Sequence, residues 1–313
     1  MNTPASHAFS YHSCNFCPRR CGIDRSRQPG YCGGPDHIVA ARAALHDWEE
    51  PCISGFRGSG TVFFSGCTLR CCFCQNYRIS SGRFGAPVTQ ERLAEIFLTL
   101  QSQGAHNINL VTATQYLPSV LAALRAVRQR LVIPVVYNCG GYETKEAIDA
   151  LSPYIDVWLP DLKYFDPALA ARYSGAPDYF QAASLAVKRM IRAAGPPVLE
   201  TVSEGGRSAL LLKRGVLIRH LVLPGQKHDS IRLMRWIHDE LPKDSFLISL
   251  MSQYTPYNKN PLYPELNRRI TSYEYNTVLN TAIDLGLTQG YMQKKSSAKE
   301  EYTPPFGLEG IVK

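Results

Sequence analysis

The chain has 313 residues, 45% of them apolar, which suffices for one large α/β domain with a small appendage or for two modest domains, and argues against disorder. Its 34 basic and 26 acidic residues leave a charge of +8, which suits anionic ligands or an acidic partner but is too mild to mark a nucleic-acid binder. No run of about 18 apolar residues occurs, and the opening MNTPASHAFSYHSC lacks the apolar stretch of a secretory signal.

A cytoplasmic protein with no membrane partner is therefore expected. Disulfides are rare in that compartment, so ten cysteines need another explanation. Seven fall into two groups: Cys14, Cys17, Cys21 and Cys32, then Cys67, Cys71 and Cys74. In a reducing compartment such groups read first as metal ligands.

Residues 1–50 contain Gly, Pro and Arg and show little periodicity. After Gly58-Ser59-Gly60 the pattern changes. Strands are expected at 61–64, 108–111, 131–137, 155–159, 216–223 and 246–251. Helices are expected at 90–104, 117–130 and 144–151, over 167–194 with a break around 175–177, and at 230–241 and 272–285. Six strand–helix alternations mean βαβ units and a parallel sheet covered by helices. Periodicity does not choose between an open doubly wound sheet and an incomplete barrel. The tail from Lys294 is charged and Pro-containing and reads as a surface arm. The expected division is a Cys-rich segment at 1–58, a core at 59–290 and an arm at 291–313.

The segment Phe63 to Asn76 carries the chemistry. Cys67, Cys71 and Cys74 form C-x3-C-x2-C directly after the first expected strand, a spacing that lets one loop wrap one cluster. Three thiolates satisfy three irons of a cubane and leave the fourth open for a ligand, as open positions mark catalytic metals. Phe73, just before the last cysteine, is placed to shield the cluster and line an adenine pocket. Cys72 is off the spacing and reads as packing.

This loop resembles the signature of the radical S-adenosylmethionine (SAM) superfamily, C-x3-C-x-aromatic-C. The resemblance implies a partial (β/α)6 barrel with a 4Fe–4S cluster whose open iron chelates the methionine end of SAM. It implies that one electron from the cluster cleaves SAM to methionine and a 5′-deoxyadenosyl radical, which takes hydrogen from a substrate. Many members carry Gly-Gly-Glu after the second strand; here Val111 to Tyr116 stands instead, and Thr112 and Thr114 are the substitutes for SAM contact. Asn138, after the third strand, is taken as a further contact. Asp161-Leu162-Lys163, after the fourth, resembles the motif by which glycyl-radical-enzyme activases place SAM, with a strand-end ion pair as the plain alternative. His220, in an activase-like Arg219-to-Gly225 stretch, reads equally as an outer donor or a satisfied core histidine.

The whole chain resembles the PflX-like branch related to pyruvate formate-lyase activating enzyme. The carriers are Cys-x2-Cys-Pro-Arg-Arg-Cys-Gly, Gly-Tyr-Cys-Gly, Glu49-Glu50-Pro51-Cys52 and Pro160-Asp161-Leu162-Lys163-Tyr164. That implies an oxidoreductase acting on a protein, fed by an electron donor such as flavodoxin or ferredoxin. The alternatives are radical chemistry on RNA or a small metabolite, or a non-catalytic metal-binding protein. Cys14, Cys17, Cys21 and Cys32 give C-x2-C-x3-C-x10-C, a closed four-thiolate site suiting zinc or a second iron–sulfur cluster. Arg19, Arg20, Arg25 and Arg27 around it read as a solvated basic face. Cys52 and Cys139 read as ordinary buried residues.

Overall fold

A computed structural model describes residues 9–257, 260–293 and 303–312. The opening residues 1–8 and the start of the expected arm, 294–302, lie outside the described residues. The six expected strands form as β2 (Ser59–Phe64), β4 (Ile108–Val111), β5 (Val135–Cys139), β6 (Val157–Pro160), β8 (Arg207–Leu221) and β9 (Leu247–Met251). They pair in parallel as neighbours in chain order, and β10 (Gly290–Met292) continues the series beside β9. A doubly wound sheet reverses its order at a switch point. Here the order runs one way, as in a barrel. At the other edge β1 (Ile38–His46) and β3 (Ala86–Val88) extend the sheet antiparallel. Among the described residues no ladder joins β3 to β10, so the barrel is partial. The expected α/β class and partial (β/α)6 barrel are both present.

The helices between strands are α3 (Gln90–Ser102), α4 (Leu117–Val127), α5 (Lys145–Leu151), α6 (Pro167–Ser174), α7 (Tyr179–Ala194), α8 (Lys227–Glu240) and α9 (Ser272–Asp284). Their starts follow from capping chemistry. Thr89, Thr144 and Asp166 each accept backbone N–H bonds at an N-terminus, and Thr271 with Glu274 forms a reciprocal capping box. The break expected near 175–177 is Gly175, left-handed at φ 57°, ending α6. Strand β5 begins four residues later than expected because Pro134 has no N–H for the ladder.

Side chains alternate across each strand. Outward residues such as Tyr137, Trp158 and Ile218 pack under the helices. Inward residues Val136, Val157, Leu159, Leu217 and Leu247 form a separate cluster with Cys52 and Ile53 of α1 (Pro51–Ser54). The chain after β1 therefore enters the barrel and plugs its floor. The hairpin of β7 (Val198–Glu204) with the first half of β8 adds Leu212 to that plug. Described tail residues return to β1: Leu308 N–H bonds Ala41 at 3.0 Å, and Glu309 C=O accepts from Ala43 at 2.8 Å. Phe306, within the stretch expected as a surface arm, is buried edge-on against Phe63.

Candidate functional site

Above β2 the chain turns at Gly66 (φ 84°) into the cysteine loop. A donor reaches each sulfur: Leu69 N–H to Cys67 at 3.4 Å, the Ser174 hydroxyl to Cys71 at 2.9 Å and the Ser80 hydroxyl to Cys74 at 3.3 Å. Burial, then the neighbouring Cys71 and Cys74, push the Cys67 thiol up to about 12; burial and Cys71 raise Cys74. Such sulfurs become thiolates when a cation arrives to offset their repulsion, and the donors already suit the charged form. Among the described residues no three His, Cys, Asp or Glu side chains converge tightly enough to hold one metal ion. In a multi-iron group each thiolate binds its own iron, so three thiols need not converge on one point.

Cys71, Phe73 and Cys74 open onto a cavity of about 190 Å³ inside the barrel. Its charged wall is a chain of four groups from three parts of the fold: Lys163 and Asp161 after β6, Arg219 on β8 and Glu49 after β1. Lys163 Nζ lies 2.5 Å from Asp161 Oδ2, and Arg219 Nε donates to Asp161 Oδ1 at 2.9 Å. Arg219 Nη1 donates to Glu49 Oε2 at 3.1 Å, and its Nη2 donates to Asn138 Oδ1 at 2.5 Å. Glu49 Oε1 accepts from the Asn109 and Asn138 amides, each at 3.1 Å. Burial alone raises the Asp161 carboxyl, but Arg219 and Lys163 beside it hold it below the usual range. Lys163 and Arg219 are held above theirs: burial opposes their charge, and the Asp161 carboxylate outweighs it. Burial raises Glu49 and Glu50; Arg219 pulls against it, and one Glu50 oxygen has no hydrogen-bond partner among the described residues. The cavity thus brings these fixed charges together with the Cys71 and Cys74 thiols. Its apolar side is Phe63, Leu221, Leu223 and Met251.

Residues 61–237 match the sequence profile of the radical SAM superfamily. This chain belongs to that superfamily. Membership makes it a radical SAM enzyme and implies a 4Fe–4S cluster and SAM as cofactors. The enzyme is 30% identical over 283 residues to the uncharacterized protein MJ0674 of Methanocaldococcus jannaschii, across 87% of this chain and 75% of that one. Among solved structures it is similar to Streptococcus suis SuiB bound to S-adenosylmethionine, with 14% identity, TM-score 0.44, and coverage of 70% of this chain and 42% of that chain. The chain thus spans less than half the length of SuiB. It is also similar to a domain of pyruvate-formate lyase-activating enzyme from Bacteroides vulgatus, with 13% identity, TM-score 0.40, and coverage of 57% and 92%.

The radical SAM fold brings Phe73, Asn138, Asp161 and Lys163 to the cavity with Cys71 and Cys74. Phe73 stands edge-on to Tyr164, Tyr173 and Tyr254. Thr112 and Thr114 do not line that cavity. Thr112, at the end of β4, is left-handed (φ 57°), a costly conformation for a branched side chain. Thr114 is buried, paired with the Tyr137 hydroxyl at 2.9 Å and Glu143 at 2.8 Å. His220 is a satisfied core histidine between Leu162 C=O and the Ser230 hydroxyl, and burial lowers it to about 4. Cys72 corrects its packing assignment: it is exposed. Cys52 and Cys139 are buried as expected. Sequence reasoning missed Glu49 and Arg219 as site residues. The available signal was a charge at an inward position of an apolar strand, and an acidic pair beside a proline.

Cys14, Cys17 and Cys32 are buried and Cys21 is half-buried. Burial raises the Cys32 thiol; Arg25 opposes, and Cys14 and Cys21 add to the rise. The expected solvated basic face is corrected for Arg25, which is 2% exposed. Its guanidinium donates to the carbonyls of Gly34 (2.9 Å), Pro35 (2.6 Å) and Gln115, and lies 3.9 Å from Cys14 Sγ. Among the described residues no carboxylate pairs with it. Arg19 is half-buried and Arg20 and Arg27 are exposed. No helix among the described residues is long and apolar enough to cross a membrane.

Proposed function

We propose that Cys67, Cys71 and Cys74 hold the 4Fe–4S cluster, and that Asp161, Lys163, Asn138 and Phe73 receive SAM in the adjoining cavity. The observation that carries this is one cavity lined by Cys71 and Cys74 together with Asp161 and Lys163. The bound cofactors supply the electron and the radical. The chain supplies placement. Lys163 presents a fixed positive charge to a carboxylate, and Asp161 a fixed negative charge to an ammonium or ribose. Arg219 and Glu49 keep that pair from swinging, and the barrel plug keeps water from the floor.

The substrate reading is a protein partner, in the manner of a glycyl-radical-enzyme activase of the PflX-like branch, reduced by a flavodoxin- or ferredoxin-like donor. Its support is Asp161-Leu162-Lys163 on the cavity wall and the chain-long motif match. The four N-terminal thiols, in the segment 1–58, are proposed as a second metal centre preceding the 59–290 core. Arg25 supports this: a buried cation without a carboxylate is costly, and anionic thiolates beside it remove that cost.

The test is anaerobic reconstitution followed by measurement of 5′-deoxyadenosine under a strong reductant. Cys71→Ala abolishes SAM cleavage; full cleavage by that variant overturns the assignment. Iron, sulfide and zinc analysis of wild type and Cys17→Ala identifies the N-terminal metal, and identical metal content in both overturns the second centre.

A further inference from the structure

The two cysteine groups, separated in sequence, are fastened to each other in the fold. Cys67 N–H donates to the Cys32 carbonyl at 3.1 Å, so a residue of each group shares one hydrogen bond. Gly66 permits this approach, since a Cβ there stands 2.6 Å from the Cys32 oxygen. Gln115 Nε2 donates to the carbonyls of Ser65 and Gly66 at 3.0 and 3.1 Å, and the backbone carbonyl of Gln115 accepts from Arg25.

Arg19 supplies the outer fastening. Its Nε donates to Thr68 C=O inside the cysteine loop at 3.0 Å, and its Nη2 donates to Ser174 C=O at 3.0 Å. Its third arm reaches Gly175 C=O, so it joins the loop to the carbonyl end of α6. That helix end touches the loop twice more, through Ser174 Oγ on Cys71 Sγ and Tyr173 C=O on Cys72 N–H. The planar fork is held over the Tyr31 ring at 3.9 Å. A side chain from the N-terminal module thus bridges both segments that flank Cys71.

We propose that the N-terminal cysteine module is a clamp that sets the geometry of the 67–74 loop, with Arg19 as its positioning residue. The proposal rests on the assignment of the cluster to Cys67, Cys71 and Cys74. It predicts that the state of the first thiol group is felt at the second. Disturbing the clamp leaves the cluster in place and weakens its response to SAM.

The experiment compares wild type, Arg19→Ala, Arg19→Lys and Cys21→Ser, each reconstituted anaerobically with iron and sulfide. Three quantities are read: iron and sulfide per chain, the paramagnetic resonance spectrum of the reduced protein with and without SAM, and KM against kcat for SAM cleavage. Arg19→Ala is expected to keep its iron, to lose most of the SAM-induced spectral change, and to raise KM for SAM roughly tenfold with a smaller effect on kcat. Lysine keeps the charge but not the fork, so Arg19→Lys is expected to behave like Arg19→Ala. A spectrum and KM like wild type in Arg19→Ala, or full rescue by lysine, overturn the clamp. Should Arg19→Ala not fold, Cys21→Ser decides: among the described residues no hydrogen bond joins this half-buried thiol to the loop, and a normal SAM response without N-terminal metal overturns the proposal. A wild-type protein with no SAM-responsive signal overturns the cluster assignment itself, and the clamp with it.

Discussion

Arg219 decides the charged wall because it is shared. One guanidinium serves Asp161, Glu49 and Asn138, and side-chain exposures of 14% for Arg219 and 10% for Glu49 leave little water to replace it. Arg219→Met leaves two buried carboxylates facing each other, so about 3 kcal/mol of stability is expected to be lost. Urea denaturation checks it; an unchanged midpoint means the pair is dispensable. Glu49→Gln keeps the shape and removes one charge. Arg219 then loses one of its two carboxylate hydrogen-bond partners and keeps Asp161 and Asn138, and KM for SAM is expected to rise severalfold with Tm nearly unchanged. The cysteine triad and the Asp161–Lys163 pair could be read as candidates because each lies within a few residues of chain, and Cys71, Cys74, Asp161 and Lys163 do meet at one cavity. Glu49 and Arg219 could not, since 170 residues separate them and only the fold joins an inward position of β8 to the segment that enters the barrel after β1. Thr114 misled for a related reason: a hydroxyl after a strand looks available until its neighbours Tyr137 and Glu143 claim it.

Among elements, the six barrel strands and their helices were readable because buried strands are short apolar runs and covering helices carry period 3.6. Strand β1 was hidden by its composition. The run IVAARAALH is rich in the best helix former, and only pairing on both sides with β2 and β3 makes it a strand. The β7–β8 hairpin did carry a signal, Gly205-Gly206, now seen with φ of 56° and 77° as two consecutive left-handed residues. Asparagine tolerates the first of these positions and restricts the unfolded chain. Gly205→Asn is therefore expected to stabilise by about 0.5 kcal/mol, read as a small rise in Tm. A fall in Tm contradicts that turn geometry.

For the whole molecule, Glu143 makes stability depend on pH. It is 4% exposed behind the barrel wall, and burial pushes it up to about 8 despite the Thr114 hydrogen bond. The folded state then binds this proton more tightly than the unfolded state does. Its contribution is complete below the ordinary value of 4.5 and is lost as pH rises through about 8. Each pH unit in that window costs up to about 1.4 kcal/mol. Glu143→Gln is expected to flatten the stability profile between about pH 5 and pH 8, measured by denaturant melts. A profile with the wild-type slope places the proton elsewhere. The barrel itself was only half legible from the chain: alternation shows a parallel sheet, whereas one-way strand order is a property of pairing.

The segment from Trp48 to Ser54 has a consequence for how this enzyme can be divided. It belongs to the N-terminal part of the chain, yet it furnishes the carboxylate that steadies Arg219 and the apolar stopper below it. A fragment beginning at residue 59 keeps Cys67, Cys71 and Cys74 and still lacks the base of its own cavity. The two parts are thus not exchangeable modules joined by a tether. Any graft, truncation or fusion that treats the first 58 residues as an accessory also removes part of the lining of that cavity.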